Sequence, residues 1–290
     1  LAIWGTKYGR AHVNAIVEDA YALSPGLRST VLVTDRHRDG LDPRVQQVSF
    51  PAPFDTSAFF SNGYRAKLAV FSTVVVPAGL RCVFLDLDTV VVGDLGRIAD
   101  LVQRPDDLFM LPPAGLGFGT LRRLRDRLQG AKKFPVGNSS ILAFHADAKP
   151  NLAETYARRF AAADLPTLPG MFIDDVVISW FGRGHIDAVP TDCGVMFRRE
   201  YLSRVPGWAA LKSRLPWVQS RRARIAAVTL NGVAVKPEHL ATLADGATVT
   251  DGRGRSGPWT DRAIGPVRAR LQSVGQRIAA AAQSDKSRKA

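Results

Sequence analysis

At 290 residues and 46% hydrophobic content, the chain can bury one large core or two modest ones. No run of about 18 apolar residues is free of charge, which argues against a membrane-spanning helix, and Leu1 to Tyr8 lack the basic stretch ahead of an apolar one that marks a signal peptide. The net charge of +13 is unevenly placed: residues 201–290 hold 16 Lys and Arg against 5 Asp and Glu, so the first 200 residues are nearly neutral and the basic third suits phosphate-rich ligands or an anionic surface.

In chain order the apolar patterning predicts a strand over 1–4, then a helix over 8–23 with Val13, Ile16, Val17 and Tyr21 at helical spacing. Strands are expected over 30–34 and 45–50, a helix over 64–75, and a strand over 82–87, within a stretch whose residues 83–92 read together as a buried strand. Strands over 108–111 and 140–144, a helix over 150–163 and a strand over 225–230 follow. Strands alternating with helices point to an α/β fold with a mostly parallel sheet covered on both faces. The Gly-rich stretch Asp251 to Pro258 reads as a flexible linker, dividing a catalytic domain (1–250) from a basic tail (251–290). Cys82 and Cys193 lie far apart in sequence, as two reduced thiols of a cytoplasmic protein would.

The run 83–92 raises a physical problem, because Asp86 and Asp88 interrupt an otherwise apolar strand. A buried, unpaired carboxylate costs several kcal/mol. Residues two apart on a strand point to one side, so both acids are expected to face together out of the carboxyl end of the strand, where α/β sheets bind ligands. Paired hard oxygen ligands suit Mg²⁺ or Mn²⁺, and such an ion would neutralise them. Solvation at a strand end, or capping by backbone donors, would also satisfy the pair.

The segment Leu85-Asp-Leu-Asp-Thr-Val-Val-Val-Gly-Asp-Leu95 resembles the Asp-x-Asp region of GT-A-fold glycosyltransferases. Within these it is most similar to the glycogenin-like and bacterial lipopolysaccharide galactosyltransferase-like group, family eight. Four further segments follow in the family's order over most of residues 1–240. Trp4-Gly-Thr-Lys-Tyr8 resembles the first strand and the loop that meets the nucleotide base, which implies donor contacts from Thr6, Lys7 and Tyr8. Gly63-Tyr-Arg-Ala-Lys67 resembles the helix whose basic residue, here Lys67, approaches the nucleotide. Gly137 to Phe144 resembles the segment lining the sugar site, which implies Asn138 and Ser139, and the Asp-x-Asp match itself implies Asp86 and Leu87. Ile173-Asp-Asp-Val-Val-Ile-Ser179 resembles the block beside the reacting sugar carbon, which implies Asp174 and Asp175 as catalytic residues.

Two departures stand out. Family members end the domain with a His that is the third metal ligand and a Lys that holds the diphosphate. Here Leu230-Asn-Gly-Val-Ala-Val-Lys-Pro237 puts Asn231 in the place of His, with one extra residue before Lys236. The metal set implied is therefore Asp86, Asp88 and Asn231. The second departure is Asp175, where the family has Gln.

Bland roles remain open for several of these residues. Asp174 or Asp175 also suits a helix N-cap, Asn138 a turn, and Lys236 a solvated loop. His145 and His185 have no partner at metal-ligand spacing. In the tail, Ile264, Val267, Leu271, Val274 and Ile278 follow three-four spacing among arginines, as in a basic helix lying on an anionic membrane surface or packing back on the protein.

The resemblance implies a hexosyltransferase-type enzyme that uses a nucleotide sugar, UDP-linked by preference, with Mn²⁺ or Mg²⁺. The acceptor expected is a cell-surface glycan or a lipid-linked precursor, met in the cytoplasm or at the inner membrane face. A nucleotidyltransferase also uses paired acids and a metal, but residues 4–14 offer only Gly5 and Gly9 toward its phosphate loop. A catalytically silent binding subunit is the alternative favoured by the two departures. No nucleic-acid partner is expected, because the basic third lacks an aromatic platform.

Overall fold

The computed structural model describes residues 1–61, 64–113 and 134–287; Gly63 of the helix segment and residues 288–290 of the tail lie outside them. The strands are β1 (Ala2–Ile3), β2 (Thr30–Thr34), β3 (Val45–Ser49), β4 (Arg81–Leu85), β5 (Thr89–Val91) and β6 (Leu108–Leu111). They continue with β7 (Asn138–His145), β8 (Ile186–Ala188), β9 (Gly194–Met196), β10 (Ala227–Thr229), β11 (Thr248–Thr250) and β12 (Ser256–Pro258). Every strand expected from sequence is present within two residues at either end; β5, β8, β9, β11 and β12 were not anticipated.

β1, β2 and β3 are parallel neighbours. The next sheet has the order β4-β7-β6-β8, with β7 antiparallel to both its neighbours and β8 parallel to β6. A third ladder has the order β5-β10-β9, β10 running parallel to β9 and antiparallel to β5. Parallelism thus follows the βαβ units, and the antiparallel pairings enter where β7 is inserted between β4 and β6, where β5 meets β10 and in the β11–β12 pair.

Alternating residues along these strands feed two cores. Val33, Phe84, Met110 and Leu142 pack with Ala66, Leu68, Tyr156, Val177 and Ile178 from helical segments on one face. Leu32, Leu85, Leu111, Ile141 and Ala143 pack with Val13, Ile16 and Val17 of the helix Arg10–Leu23 on the other. A pleated strand sends successive side chains to opposite faces, so this split places helices on both sides.

The run 83–92 is not one strand. β4 ends at Leu85, the Thr89 amide donates to the Asp86 carbonyl at 2.9 Å, and β5 then leaves for a different ladder. Asp86 and Asp88 therefore sit in a tight turn rather than on a strand face. Leu87, between them, is buried against the first long helix.

The Gly-rich stretch is not a linker either. Asp251 and its neighbours form the turn of the β11–β12 hairpin, with Thr248 opposite Pro258 and Thr250 opposite Ser256. Asp251 accepts hydrogen bonds from the amides of Arg253 (2.8 Å) and Arg255 (3.0 Å), which closes the turn. The tail beyond it folds back. Ile264, Val267, Leu271, Val274 and Ile278 are buried with Trp259, Leu240 and Val228 in a third core. The helix Val267–Ser287 is tied down by Arg268 to Asp245 (2.6 Å), and by Arg270 and Arg277 to Asp19 (3.3 and 2.7 Å). Its apolar stripe is covered by protein and is not free to meet a bilayer. Among the described residues no helix is long and apolar enough to cross a membrane.

Candidate active site

The turn Asp86–Thr89 is the centre of a polar network drawn from distant parts of the chain. Lys67, on the short 3-10 helix Arg65–Phe71, is only 6% exposed. Its Nζ lies 2.9 Å from Asp86 Oδ1 and 2.5 Å from Asp174 Oδ2, and donates to Ser139 Oγ at 3.0 Å. Burial alone would lower the pKa of this amine, but Asp174 and Asp86 outweigh it and hold Lys67 above its ordinary value. Burial, opposed by Lys67 and reinforced by Asp88 and Asp174, pushes Asp86 up to about 6.

Asp88 faces a different lysine. Lys236 Nζ donates to Asp88 Oδ2 at 2.7 Å and to the Tyr8 hydroxyl at 2.9 Å; that hydroxyl in turn donates to Asp88 Oδ2 at 3.5 Å. Burial and the nearby Asp88 and Asp86 charges keep the Tyr8 phenol protonated well above its usual range. Lys236 is thus bound into the cluster and is not a solvated loop residue.

Beyond Lys67, Asp174 and Asp175 open the helix Asp174–Phe181. The capping residue is Ile173, so neither acid is the N-cap. Both reach across to β7 instead. Ser139 Oγ donates to Asp174 at 2.7 Å, the Ser139 amide to Asp175 at 2.7 Å, and Asn138 Nδ2 to Asp175 at 3.3 Å. Burial, then repulsion from Asp174, raises the Asp175 pKa. Asn138 is therefore a strand residue with a site partner rather than a turn residue.

Asn231 follows β10. Its Nδ2 donates to Ser140 Oγ at 3.0 Å, and its oxygen accepts from Thr229 Oγ1 at 3.3 Å. The adjacent Leu230 amide donates to the Asp88 carbonyl at 2.8 Å, which ties this segment to the acidic turn.

Thr6 and Lys7 lie on an exposed loop beside the network. The loop is held by Asp35 at the end of β2, which accepts the Gly5 amide at 3.0 Å, and by Arg38, which donates to the Gly5 carbonyl at 3.2 Å. Lys7 Nζ sits 5.0 Å from the Tyr8 ring centre and 5.9 Å from that of Tyr64. Tyr64 is 54% exposed and has φ of 62°, a left-handed backbone that a bulky side chain adopts only under strain.

Sequence reading missed Tyr64, Asp35, Ser140 and Thr229. Asp35 was within reach of the strand-end rule that selected Asp86; nothing in the sequence marks Tyr64 except its neighbourhood. His145 and His185 lie outside the network: each ring faces one acid, Asp147 (3.8 Å) and Asp106 (3.2 Å).

Whether a divalent ion fits this site can be judged from the donors. Asp88 Oδ1 is buried and has no hydrogen-bond partner among the described residues. Asp86, Asp88, Asp174 and Asp175 set four carboxylates against the two amines of Lys67 and Lys236. Carboxylate and amide oxygens with surplus negative charge suit a hard dication. Among the described residues no three His, Cys, Asp or Glu side chains are grouped as a metal cage, so Asn231 would have to complete the set.

No family model matches this sequence, and no curated protein does. Solved structures do. WbbM, a bifunctional glycosyltransferase in its apo form, aligns with a TM-score of 0.54 at 13% identity, covering 82% of this chain and 46% of that one. The fold is of the GT-A kind. At that identity the likeness establishes fold, and the chain spans less than half of WbbM's length. The galactosyltransferase LgtC, solved with donor and acceptor sugar analogues, aligns over 82% of this chain and 88% of its own at 13% identity, with a TM-score of 0.49. In this chain the strand-end turn, the β7 segment and the start of the helix Asp174–Phe181 meet through Lys67 and Ser139.

Proposed function

We propose that this protein is a glycosyltransferase that moves a sugar from a nucleotide diphosphate, UDP by preference, to a glycan or lipid-linked acceptor. The observation that carries the reading is the convergence of two hydrogen-bonded clusters, Tyr8, Asp88 and Lys236 in one and Lys67, Asp86, Ser139, Asp174 and Asp175 in the other, on the turn that holds both Asp86 and Asp88. The GT-A fold and the order of the family-eight-like motifs support it.

In the proposed reaction the bond from the sugar's anomeric carbon to the diphosphate oxygen breaks, and its electron pair leaves with the diphosphate. The acceptor hydroxyl forms the new bond to that carbon and passes its proton to the departing diphosphate oxygen. Asp86, Asp88 and Asn231 would hold Mn²⁺ or Mg²⁺, which supplies Lewis-acid stabilisation to a leaving diphosphate. Lys236 adds positive charge at the same place. Lys67 is already engaged by Asp86, Asp174 and Ser139, so its role is to position the acids rather than to touch the nucleotide. Asp174 and Asp175 face the sugar and stabilise its cationic carbon or orient the acceptor. Thr6, Lys7 and Tyr8, with Tyr64, form the wall for the base.

The test is binding synergy followed by a donor screen. UDP with Mn²⁺ at about a hundred times Kd should stabilise the protein by roughly 2.7 kcal/mol, a melting shift on the order of 5 to 10 °C, while either alone should do much less. Asp88→Asn should remove the synergy. Absence of synergy with UDP and with GDP would refute the reading. A silent binding subunit, which the Asn231 and Asp175 departures favour, predicts the melting shift without nucleotide release from any sugar donor.

A further inference from the structure

β9 ends at Met196, paired with Thr229 of β10, so the residues that follow leave the sheet at the same edge as Asn231. They are Arg198 and Arg199, on the short helix Phe197–Glu200. The β11–β12 hairpin is fastened to this segment: Ser203 and Ser256 exchange backbone hydrogen bonds at 2.9 and 2.8 Å. That brings Arg253 and Arg255 alongside. Burial, then Arg253 and Arg255, lower the Arg198 pKa, whereas Asp251 and Asp175 act in the opposite direction. Arg199 likewise feels burial, Arg198 and Arg255 on one side and Asp175 on the other.

Among the described residues, internal partners are too few for four guanidinium groups. Arg255 donates to Asp251 at 3.1 Å, and Arg199 to the Pro112 carbonyl at 2.7 Å. Arg198 Nε is buried with no hydrogen-bond partner among the described residues. Arg253 is exposed, and Asp251, the acid among them, is already filled by Arg255 and two backbone amides. Like charges held together without a counter-ion cost stability, and arginine forks match phosphate oxygens two at a time.

We propose that Arg198, Arg199, Arg253 and Arg255 form a subsite for a phosphate group carried by the acceptor. This rests on the glycosyltransferase reading, in which Lys236 and the ion that Asp86 and Asp88 would hold face the donor's diphosphate. From the Lys236–Asp88 pair the site continues across the turn to Asp86, and from there through Lys67, Asp174 and Ser139 to Asp175. Asp175 acts on Arg198 and Arg199, which puts these two arginines at the Asp175 end of the site. An anionic acceptor docked there brings its hydroxyl toward Asp175.

Calorimetric titration of glycerol 3-phosphate, with glycerol as the neutral control, tests this on wild type, Arg198→Gln and Arg253→Gln. The phosphate ester should bind wild type in the presence of saturating UDP and Mn²⁺, and each variant should weaken it about tenfold. Both variants should still bind UDP with Mn²⁺, and unliganded Arg198→Gln should melt no lower than wild type because a repulsive charge is gone. Displacement of the ester by UDP and Mn²⁺ would assign the arginines to the donor diphosphate and overturn the acceptor assignment. No ester binding alongside normal UDP and Mn²⁺ binding would overturn the subsite and leave the glycosyltransferase reading standing. Ester binding without any UDP and Mn²⁺ binding would overturn that reading and the acceptor assignment with it.

Discussion

Lys236 Nζ lies 2.7 Å from Asp88 Oδ2, across 148 residues of chain. The pairing answers how an apolar run tolerates two aspartates: each has its own lysine, Asp86 with Lys67 and Asp88 with Lys236. Compensation is incomplete, since Asp174 and Asp175 join the acids around Lys67 and Asp88 Oδ1 has no partner among the described residues.

That surplus gives Lys236→Met a distinctive signature. Removing the amine takes one positive charge from beside Asp88, so Mn²⁺ alone should bind more tightly. UDP in the presence of Mn²⁺ should bind about tenfold or more weakly, because a charge-assisted hydrogen bond to the diphosphate is gone. Titrations of the metal alone and of nucleotide at saturating metal read the two effects separately. A fall in both affinities would reduce Lys236 to a structural counter-ion.

How much of this was legible in sequence follows from how local each feature is. β2 and β7 were readable because their β-branched and apolar runs are themselves the strands. The break at Asp86 was not, because Val90 and Val91 continue the apolar pattern while the turn is set by one Thr89-to-Asp86 hydrogen bond. The hairpin at 248–258 was hidden by glycines that serve a tight turn as well as a linker. Motif order selected both lysines of the network, yet nothing local could reveal that Lys67 is buried among acids. The arginine cluster joins residues 198–199 to residues 253–255, a neighbourhood created by the Ser203–Ser256 bridge and invisible along the chain.

Asn231 tests the third-ligand position. Its amide bridges Thr229 and Ser140, both at the same end of the sheet as the acidic turn. Imidazole is a better ligand than an amide oxygen for Mn²⁺, so Asn231→His should tighten Mn²⁺ by about tenfold or less and raise donor turnover when metal is limiting. An unchanged metal titration would remove Asn231 from the ligand set.

Acid stability should depend on Glu200, at the end of the short helix that carries Arg198 and Arg199. This carboxylate is 8% exposed and meets Arg222 Nε and Arg221 Nη2 at 2.6 Å each and Lys212 Nζ at 3.4 Å. Burial would raise its pKa, but Arg222 and Lys212 outweigh that and hold it below the ordinary 4.5. A depressed carboxylate contributes stability above its unfolded value and loses it as pH falls through the folded value. Wild type should therefore lose part of its stability below about pH 4.5, and Glu200→Ala, about 3 to 5 kcal/mol less stable at neutral pH, should show a flatter profile there. Parallel profiles from chemical denaturation between about pH 3 and 7, a range that brackets the ordinary value, would exclude this role.

The last prediction concerns Gly275, which costs the helix Val267–Ser287 about 1 kcal/mol relative to alanine if propensity alone is counted. Packing gives a different account. A Cβ at this position would overlap the Pro237 carbonyl oxygen and crowd Ala241, so glycine is what lets this helix lie directly on the segment Pro237–Leu240. Lys236 caps that segment, and its reach to Asp88 depends on where the segment sits. The arginines that fasten the helix to Asp19 resist its moving away. Gly275→Ala should therefore do more than a helix-stabilising exchange would suggest. It should lower stability by roughly 1 to 3 kcal/mol through overpacking and weaken UDP binding in the presence of Mn²⁺, while Mn²⁺ alone still binds Asp86 and Asp88. Thermal melts and paired titrations report all three quantities on one preparation. A Gly275→Ala protein that is more stable than wild type and binds UDP as well would mean that the helix does not hold Lys236 in place.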